Sequence, residues 1–358
     1  MMLPTTYAMA MALTILTMLC WGSWANTMKL APKWRFELYY FDYAAGLILL
    51  ATIAAFTFGS SDTVVVDSST PSFTFLDNLS IGSKKQMAFA AAGGAVFNLA
   101  NMLLVAAIAV AGLAVAFPIG IGLALIIGVV LNYIIRPAGN PVYLFGGSGL
   151  VLVAIVLSAL AHASHSAAKS KLKKAASGGV RLVGKPQAQT GGALKGILLS
   201  LACGLLMGTF YPLVEMSKKG DLGMGPYTAA FLFAAGVVLT TPVYNLFFMN
   251  MPVQGDPVGF REYFHGGAKQ HALGLLGGVI WMTGTVANFV AASAPATVNV
   301  GPAVSYAIGQ GATLISALWG LLVWKEFAGA GAKVRVYVVL MLLFFIGGLA
   351  MVSIAPLR

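Results

Sequence analysis

An all-α membrane protein, with ten transmembrane helices in two inverted five-helix repeats, is what the sequence predicts, and three observations predict it. Charge is scarce: only 9% of the 358 residues are Asp, Glu, Lys or Arg, 59% are hydrophobic and the mean hydropathy is +0.88, whereas about a quarter of a soluble domain is charged. The charge-free stretches have lengths set by a bilayer, which a helix crosses with roughly 20 apolar residues. Their order also occurs twice, and with an odd number of spans per copy the second copy must sit upside down relative to the first.

Residues 1–28 and 43–61 contain no Asp, Glu, Lys or Arg, and each predicts one span. The first has neither a basic n-region nor a small-residue cleavage site, so a retained span is expected rather than a signal peptide. Residues 86–135 are too long for one crossing and break at Ala111-Gly112, which predicts a helical hairpin; 137–168 predicts the fifth span. The pattern then recurs: 196–214, 222–255, a second hairpin over 270–324 broken at Ala294-Pro295-Ala296, and 336–357. Single residues follow the same repeat. A shift of 184 lays Gly93, Gly94, Phe97 and Pro118 on Gly277, Gly278, Trp281 and Pro302, and slightly different shifts lay Gly22-Ser23-Trp24 on Gly208-Thr209-Phe210 and Ala44-Ala45-Gly46 on Ala234-Ala235-Gly236. The expected organisation is a first five-helix repeat at 1–165, a basic linker at 166–193 and a second repeat at 194–358.

The net charge of +11 does not point to nucleic acid, because the 21 Lys and Arg fall in short gaps between apolar blocks. Fifteen of them (Lys29, Lys33, Arg35, the seven from Lys169 to Lys195, Arg261, Lys269, Lys325, Lys333 and Arg335) lie on the side opposite the N-terminus, against six on its own side. The positive-inside rule then puts both termini outside and the central loop in the cytoplasm of a cell whose inner, plasma membrane holds the multi-pass chain. Cys20 and Cys203 both lie inside apolar blocks, so neither a disulfide framework nor a metal knuckle is expected, and no cofactor is implied.

Polar groups in hydrocarbon are costly, so the few present are the informative ones. Trp21 and Trp24 share a helix face beside Gly22 and could form an aromatic wall for a flat or sugar-like solute; an interfacial aromatic belt is the alternative. Asn26 follows at the span end. Asn98 and Asn101 on the third span, and Trp281, Thr285 and Asn288 on the eighth, form stripes at helical spacing, and Asn299, Pro302, Tyr306 and Gln310 form another on the ninth. Amides both donate and accept, which suits a ureide, an amide or a polyhydroxyl ligand; the alternative is bonding between helices. Asp42, in the first turns of the second span with Glu37 just before it, is a candidate proton-coupling carboxylate, unless Lys33 and Arg35 hold both acids in interfacial ion pairs. Glu215 beside Lys218 and Glu326 beside Lys325 read as boundary charges.

Two motif matches fail on chemistry. Gly179 to Lys185 fits a phosphate-binding loop up to Pro186, where a Ser or Thr is needed. Gly146-Gly147-Ser148-Gly149 resembles a serine turn, but His162, His165, His265 and His271 fall at span ends or in loops, with no base at depth. The chain is therefore not expected to be an enzyme. Asn78-Leu79-Ser80 fits a glycosylation sequon in a loop placed outside.

The run Trp21 to Leu30, the run Arg35 to Tyr43, and the hairpin around Asn98, Asn101, Gly122 and Asn132-Tyr133 together resemble the ureide permease branch of the drug/metabolite transporter superfamily. More distantly the chain is similar to the glucose and rhamnose porters. The resemblance implies two inverted repeats around a cavity lined by the first, third, fourth, sixth, eighth and ninth spans. It also implies uptake or exchange of a small solute, often with protons; the solute expected is a neutral, hydrogen-bonding metabolite such as a ureide, nucleobase or sugar, and the sequence does not choose between a monomer and a homodimer. Plant members tend to carry a longer central loop with a complete phosphate-loop motif, which Pro186 spoils here. An exporter of metabolites or drugs, and a non-transporting sensor or membrane enzyme, are the rival readings.

Overall fold

The computed structural model describes residues 1–31, 34–61, 74–111, 113–176, 190–252, 256–298 and 300–358. Among them every regular element is helical, as hydrocarbon demands of a chain whose backbone bonds must close within each segment. Helix α1 (Tyr7–Ser23) begins where Thr6 accepts the Met9 N–H at 3.2 Å, and α2 (Ala25–Lys29) continues it. Then come α3 (Phe36–Phe56), the short α4 (Phe75–Ile81) with a Thr74–Asp77 capping box, α5 (Lys84–Ala111), α6 (Leu113–Ile135) and α7 (Pro141–Ala176). The second half holds α8 (Thr190–Ser217), α9 (Pro226–Asn250), α10 (Ala268–Ala292), α11 (Pro302–Gly309), α12 (Ala312–Leu318) and α13 (Ala332–Ile354). Proline opens α9 and α11 at a position that needs no N–H donor.

Nine helices among the described residues are long and apolar enough to cross a membrane, and Ile119–Ile135 within α6 is a shorter apolar helix. The expected linker is partly helical: α7 runs on to Ala176, through an Ala- and Lys-rich flank of good helix formers, and α8 starts at Thr190. The rejected phosphate-loop match at Gly179 to Pro186 and Asn299 lie outside the described residues, as do Lys33 and Gly112.

Packing pairs elements across the two halves. Helix α5 packs against α8 and α9, α10 against α1 and α3, α6 against α8, α1 against α12, and α7 against α13. The glycines that align in sequence mediate these crossings. A Cβ at Gly46 of α3 would overlap the Leu275 carbonyl of α10, and one at Gly278 would overlap the Tyr43 carbonyl. In the other half, a Cβ at Gly94 of α5 would overlap the Phe233 carbonyl of α9, and one at Gly236 would overlap the Ala91 carbonyl. Likewise Gly22 abuts Ala312 and Ile315, and Gly208 abuts Ala124 and Ile127. Small residues let helix backbones approach where lipid supplies no hydrophobic drive. The serine-turn match is another such crossing: Gly147 packs on Gly348 of α13, and the buried Ser148 hydroxyl donates to Leu144 O at 2.8 Å.

The Tyr7 hydroxyl donates to Ser353 O, so α1 starts and α13 ends at the same face of the bundle. Asn78 is 7% exposed, its Nδ2 donates to Gly223 O (3.1 Å) and its Oδ1 accepts the Gly225 N–H (2.8 Å), which leaves the sequon amide committed.

Candidate functional site

An aromatic stack occupies the middle of the bundle, built by α1, α5, α9 and α10. Trp281 lies parallel to Trp21 (centroids 5.6 Å apart) and to Phe233 (5.9 Å), with Phe97 at 4.3 Å. Trp21 Nε1 donates to Thr285 Oγ1 at 3.0 Å, and Thr285 in turn donates to Trp281 O at 3.1 Å, so the two indoles are pinned to one helix face. The tryptophans expected to cover a solute therefore cover each other in this conformation. Trp24 sits apart from them, half-buried, 4.9 Å from the Tyr43 ring.

The amide stripes turn to different neighbours. Asn98, fully buried, reaches Val237 O and the Thr240 and Thr241 hydroxyls of α9 at 2.9 to 3.2 Å, whereas Asn101 Nδ2 donates to the Tyr40 hydroxyl of α3 at 3.3 Å. Asn288 Nδ2 donates to Ser305 O at 3.0 Å and Ser305 Oγ returns a bond to Asn288 O at 3.2 Å. These interhelical bonds are each worth about 1 kcal/mol in a membrane. Among the described residues, the buried Asn98 and Asn288 carbonyl oxygens have no partner. Tyr306 donates to Ala124 O (3.3 Å) and Met207 O (3.5 Å), joining α11 to α6 and α8. Half-buried Gln310 marks a break in the span: Gly311 N–H bonds Ile308 O (2.9 Å) and Thr313 N–H bonds Gln310 O (3.2 Å), closures of three residues rather than four. Asn26 lies at the end away from the termini, where its Oδ1 accepts from Trp324 Nε1 at 2.6 Å and its Nδ2 donates to Ser23 O at 2.8 Å.

The two acids of α3 separate clearly. Glu37 forms a forked ion pair with Arg35 (2.7 and 3.2 Å), and Arg35 also donates to Asp256 O. Asp42, 8% exposed, bonds neither Arg35 nor any described lysine; Lys33 lies outside the described residues. Its Oδ1 accepts from the Tyr263 hydroxyl at 2.5 Å, and its Oδ2 lies 2.8 Å from His271 Nδ1. Gly274 lets α10 come close enough for this, since a Cβ there would crowd the Asp42 side chain. Tyr263 belongs to a short 3-10 turn (Phe260–His265) outside the spans, where burial and the Asp42 carboxylate raise its pKa and keep it a donor. Trp34 meets the His271 ring edge-on at 5.5 Å.

Sequence reasoning missed His271 and Tyr263 as partners because it filed the histidines under loops and span ends. The signal was depth. Asp42 stands in the second turn of α3 and His271 in the first of α10, and both helices start from the same face. Three tyrosines of α3, Tyr39, Tyr40 and Tyr43, were also missed; all are fully buried, with Tyr39 bonded to Thr27 of α2 and Tyr40 to Asn101 of α5.

At the face carrying the termini, cations close over the end of α10. Arg136, just past α6, donates to Ala292 O (2.9 Å) and Ala294 O (3.0 Å). Lys218 donates to Ser293 Oγ at 3.1 Å and pairs with the buried Glu215. Positive charge suits the negative end of a helix. Burial pulls the Lys218 pKa down, and Glu215 opposes that shift. Glu326, read in sequence as a boundary charge beside Lys325, pairs with Lys29 at 2.6 Å.

Residues 39–193 match the family model described as ureide permease. Ureide permease 2 and ureide permease 1 of Arabidopsis thaliana are each 26% identical to this chain over 95% of both chains. A probable ureide permease A3 of Vigna unguiculata is 30% identical over 46% of this chain and 43% of its own. A crystal structure sharing 16% identity superposes with a TM-score of 0.57 over 96% of this chain and 95% of that one, a likeness of fold alone. The chain is a multi-pass membrane protein whose relatives are named permeases, not enzymes.

Proposed function

We propose that the chain is a secondary transporter of a ureide or a similar neutral, hydrogen-bonding solute, of the drug/metabolite transporter type, coupled to protons through Asp42. The observation that carries the transport reading is the paired glycine crossings. Gly46 with Gly278 and Gly94 with Gly236 make corresponding contacts in the two halves, and the names of the relatives supply the solute class. Corresponding contacts made by oppositely running copies are what an inverted repeat would produce, and such repeats rock about a site at the bilayer midplane. The bond from Tyr7 to Ser353 supports an even number of crossings, hence ten, with the shorter apolar helix Ile119–Ile135 as the tenth. The excess of basic residues on the opposite face supports termini outside and a cytoplasmic central loop in an inner membrane.

In this reading Trp21, Trp24 and Trp281 part to admit the solute, and the amides of Asn98, Asn101 and Asn288, with Thr285, Tyr306 and Gln310 around them, read its polar edge. Asn26 and Glu37, held by Trp324 and Arg35, serve the motion of the helix ends rather than the solute. Asp42 takes the proton, because its buried carboxylate meets a His271 side chain that is 29% exposed and so open to proton exchange. The test is allantoin uptake into proteoliposomes. An inward proton gradient should drive accumulation by the wild type, and Asp42→Asn should abolish that accumulation while allantoin counterflow persists. Gradient-driven uptake by Asp42→Asn equal to wild type would overturn the coupling, and absence of counterflow in the wild type would overturn the ureide reading.

A further inference from the structure

The three hydroxyls that α3 sends into the bundle are treated differently. Tyr39 OH and Thr27 Oγ1 bond each other at 2.6 Å, and Tyr40 OH accepts from Asn101 at 3.3 Å. The Tyr43 hydroxyl is buried with no hydrogen-bond partner among the described residues. A phenol is both donor and acceptor, and an orphaned buried donor is rarer and less tolerable than a carbonyl with a spare lone pair. The orphan oxygens of Asn98 and Asn288 are of that milder kind, since their nitrogens are engaged.

Packing does not require the Tyr43 hydroxyl. The residue that aligns with Tyr43 in the other half is Phe233, equally buried and lying against the corresponding glycine crossing with Gly94. A phenylalanine therefore fills this place in the fold without the cost of an unbonded hydroxyl. The hydroxyl also has company. Tyr43 lies 5.0 Å from the Tyr40 ring and 4.9 Å from the half-buried Trp24, and Tyr40 carries Asn101, whose Nδ2 is used while its Oδ1 accepts nothing from the described residues. A free donor and a free acceptor thus flank one tyrosine beside an aromatic face.

We propose that Tyr43 and Asn101 form the subsite that reads the amide edge of the solute, Tyr43 donating to a carbonyl oxygen and Asn101 Oδ1 accepting an N–H, with Trp24 covering the adjacent face. This rests on the ureide reading and sharpens it: a fixed acceptor beside a donor complements the C=O/N–H edge of a ureide, which an apolar compound of equal size lacks. A site built around hydrogen bonds rejects ligands that leave its polar groups unpaired.

The experiment is a thermal-shift titration of the purified full-length protein with allantoin, in which a ligand that binds only the folded form raises the melting point. Tyr43→Phe should leave the ligand-free melting point equal or higher, since it deletes an unbonded hydroxyl, and should weaken allantoin binding about tenfold, the loss of one hydrogen bond to a neutral ligand. Tyr39→Phe, which breaks a satisfied bond, should do the reverse: lower the ligand-free melting point and keep the affinity. Asn101→Leu should weaken allantoin whatever its effect on stability, so the subsite is tested even if one variant folds poorly. Wild-type affinity in Tyr43→Phe and Asn101→Leu would overturn the subsite alone. A wild-type protein that allantoin does not stabilise would overturn the ureide reading, and this subsite with it.

Discussion

The two halves of the chain share their helix crossings and differ in what they hang on them. At the crossing through Gly46 the first half presents Trp24, Tyr43 and Tyr40, whereas at the crossing through Gly236 the second half presents Phe210 and Phe233. The shift that aligns these glycines sets Glu37 and Asp42 of α3 against Tyr227 and Leu232 of α9. The helices of the ninth and fourth expected spans also differ, for the break at Gln310 and Gly311 has no counterpart in the continuous α6. Glycine contacts at these crossings are thus common to both halves, whereas the hydroxyls of Tyr39, Tyr40 and Tyr43 and the carboxylates of Glu37 and Asp42 on α3 have no counterpart at the aligned positions of α9, and the break at Gln310 has none in α6. Under the proposed transport reading, the matched crossings are the scaffold that rocks, and the unmatched side chains are where the solute and the proton would bind.

The sharpest way to break that comparison is Trp281→Ala. Trp281 is 6% exposed and touches aromatic rings from α1, α5 and α9, so truncation should destabilise the protein by about 3–5 kcal/mol. Trp281→Phe, which gives the eighth span the residue that its aligned partner Phe97 already is, should cost clearly less. Unfolding by denaturant in detergent measures both, and equal losses would mean that the indole size is not what joins the halves.

Next in size comes the scaffold itself. Gly46→Ala and Gly236→Ala each drive a methyl into a carbonyl of the neighbouring helix, and each should cost about 1–3 kcal/mol as overpacking does. If the halves are equivalent as scaffold, the two losses agree; a large effect at one site and none at the other would confine the correspondence to sequence.

Much of this was legible before any coordinates. Charge-free lengths matched nine membrane-long helices among the described residues, and Gly94 and Gly278, aligned in the sequence as marks of a repeat, stand at helix crossings. Residue type and spacing could not say which way an amide turns. Asn98 and Asn101 are three apart on one helix, yet one bonds α9 and the other α3. Nor could they distinguish an aromatic pair that awaits a ligand from one that fills its own gap, as Trp21 and Trp281 do. Asp42 was singled out for its depth, but its partners His271 and Tyr263 are more than 200 positions away. Only the packing of α3 on α10 brings them together.

The smallest effect tests whether carboxylates on one helix can have separate roles. Glu37 and Asp42 are five residues apart, and charge alone makes both of them proton candidates. Glu37, however, is held by Arg35 in a pair that keeps 17% and 33% of the two side chains exposed, and a partly solvated pair contributes no more than about 1 kcal/mol. Its charge is balanced in place, so moving a proton onto it would strand the Arg35 guanidinium, which cannot deprotonate. Among the described residues Asp42 bonds a histidine and a phenol and no fixed cation, and so can gain a proton without stranding a fixed charge. Glu37→Gln should therefore lower the melting point slightly and leave gradient-driven allantoin uptake near the wild-type level, where Asp42→Asn loses it. Were Glu37→Gln to lose the gradient response as completely, the proton would be shared along α3 rather than held by the histidine-linked acid.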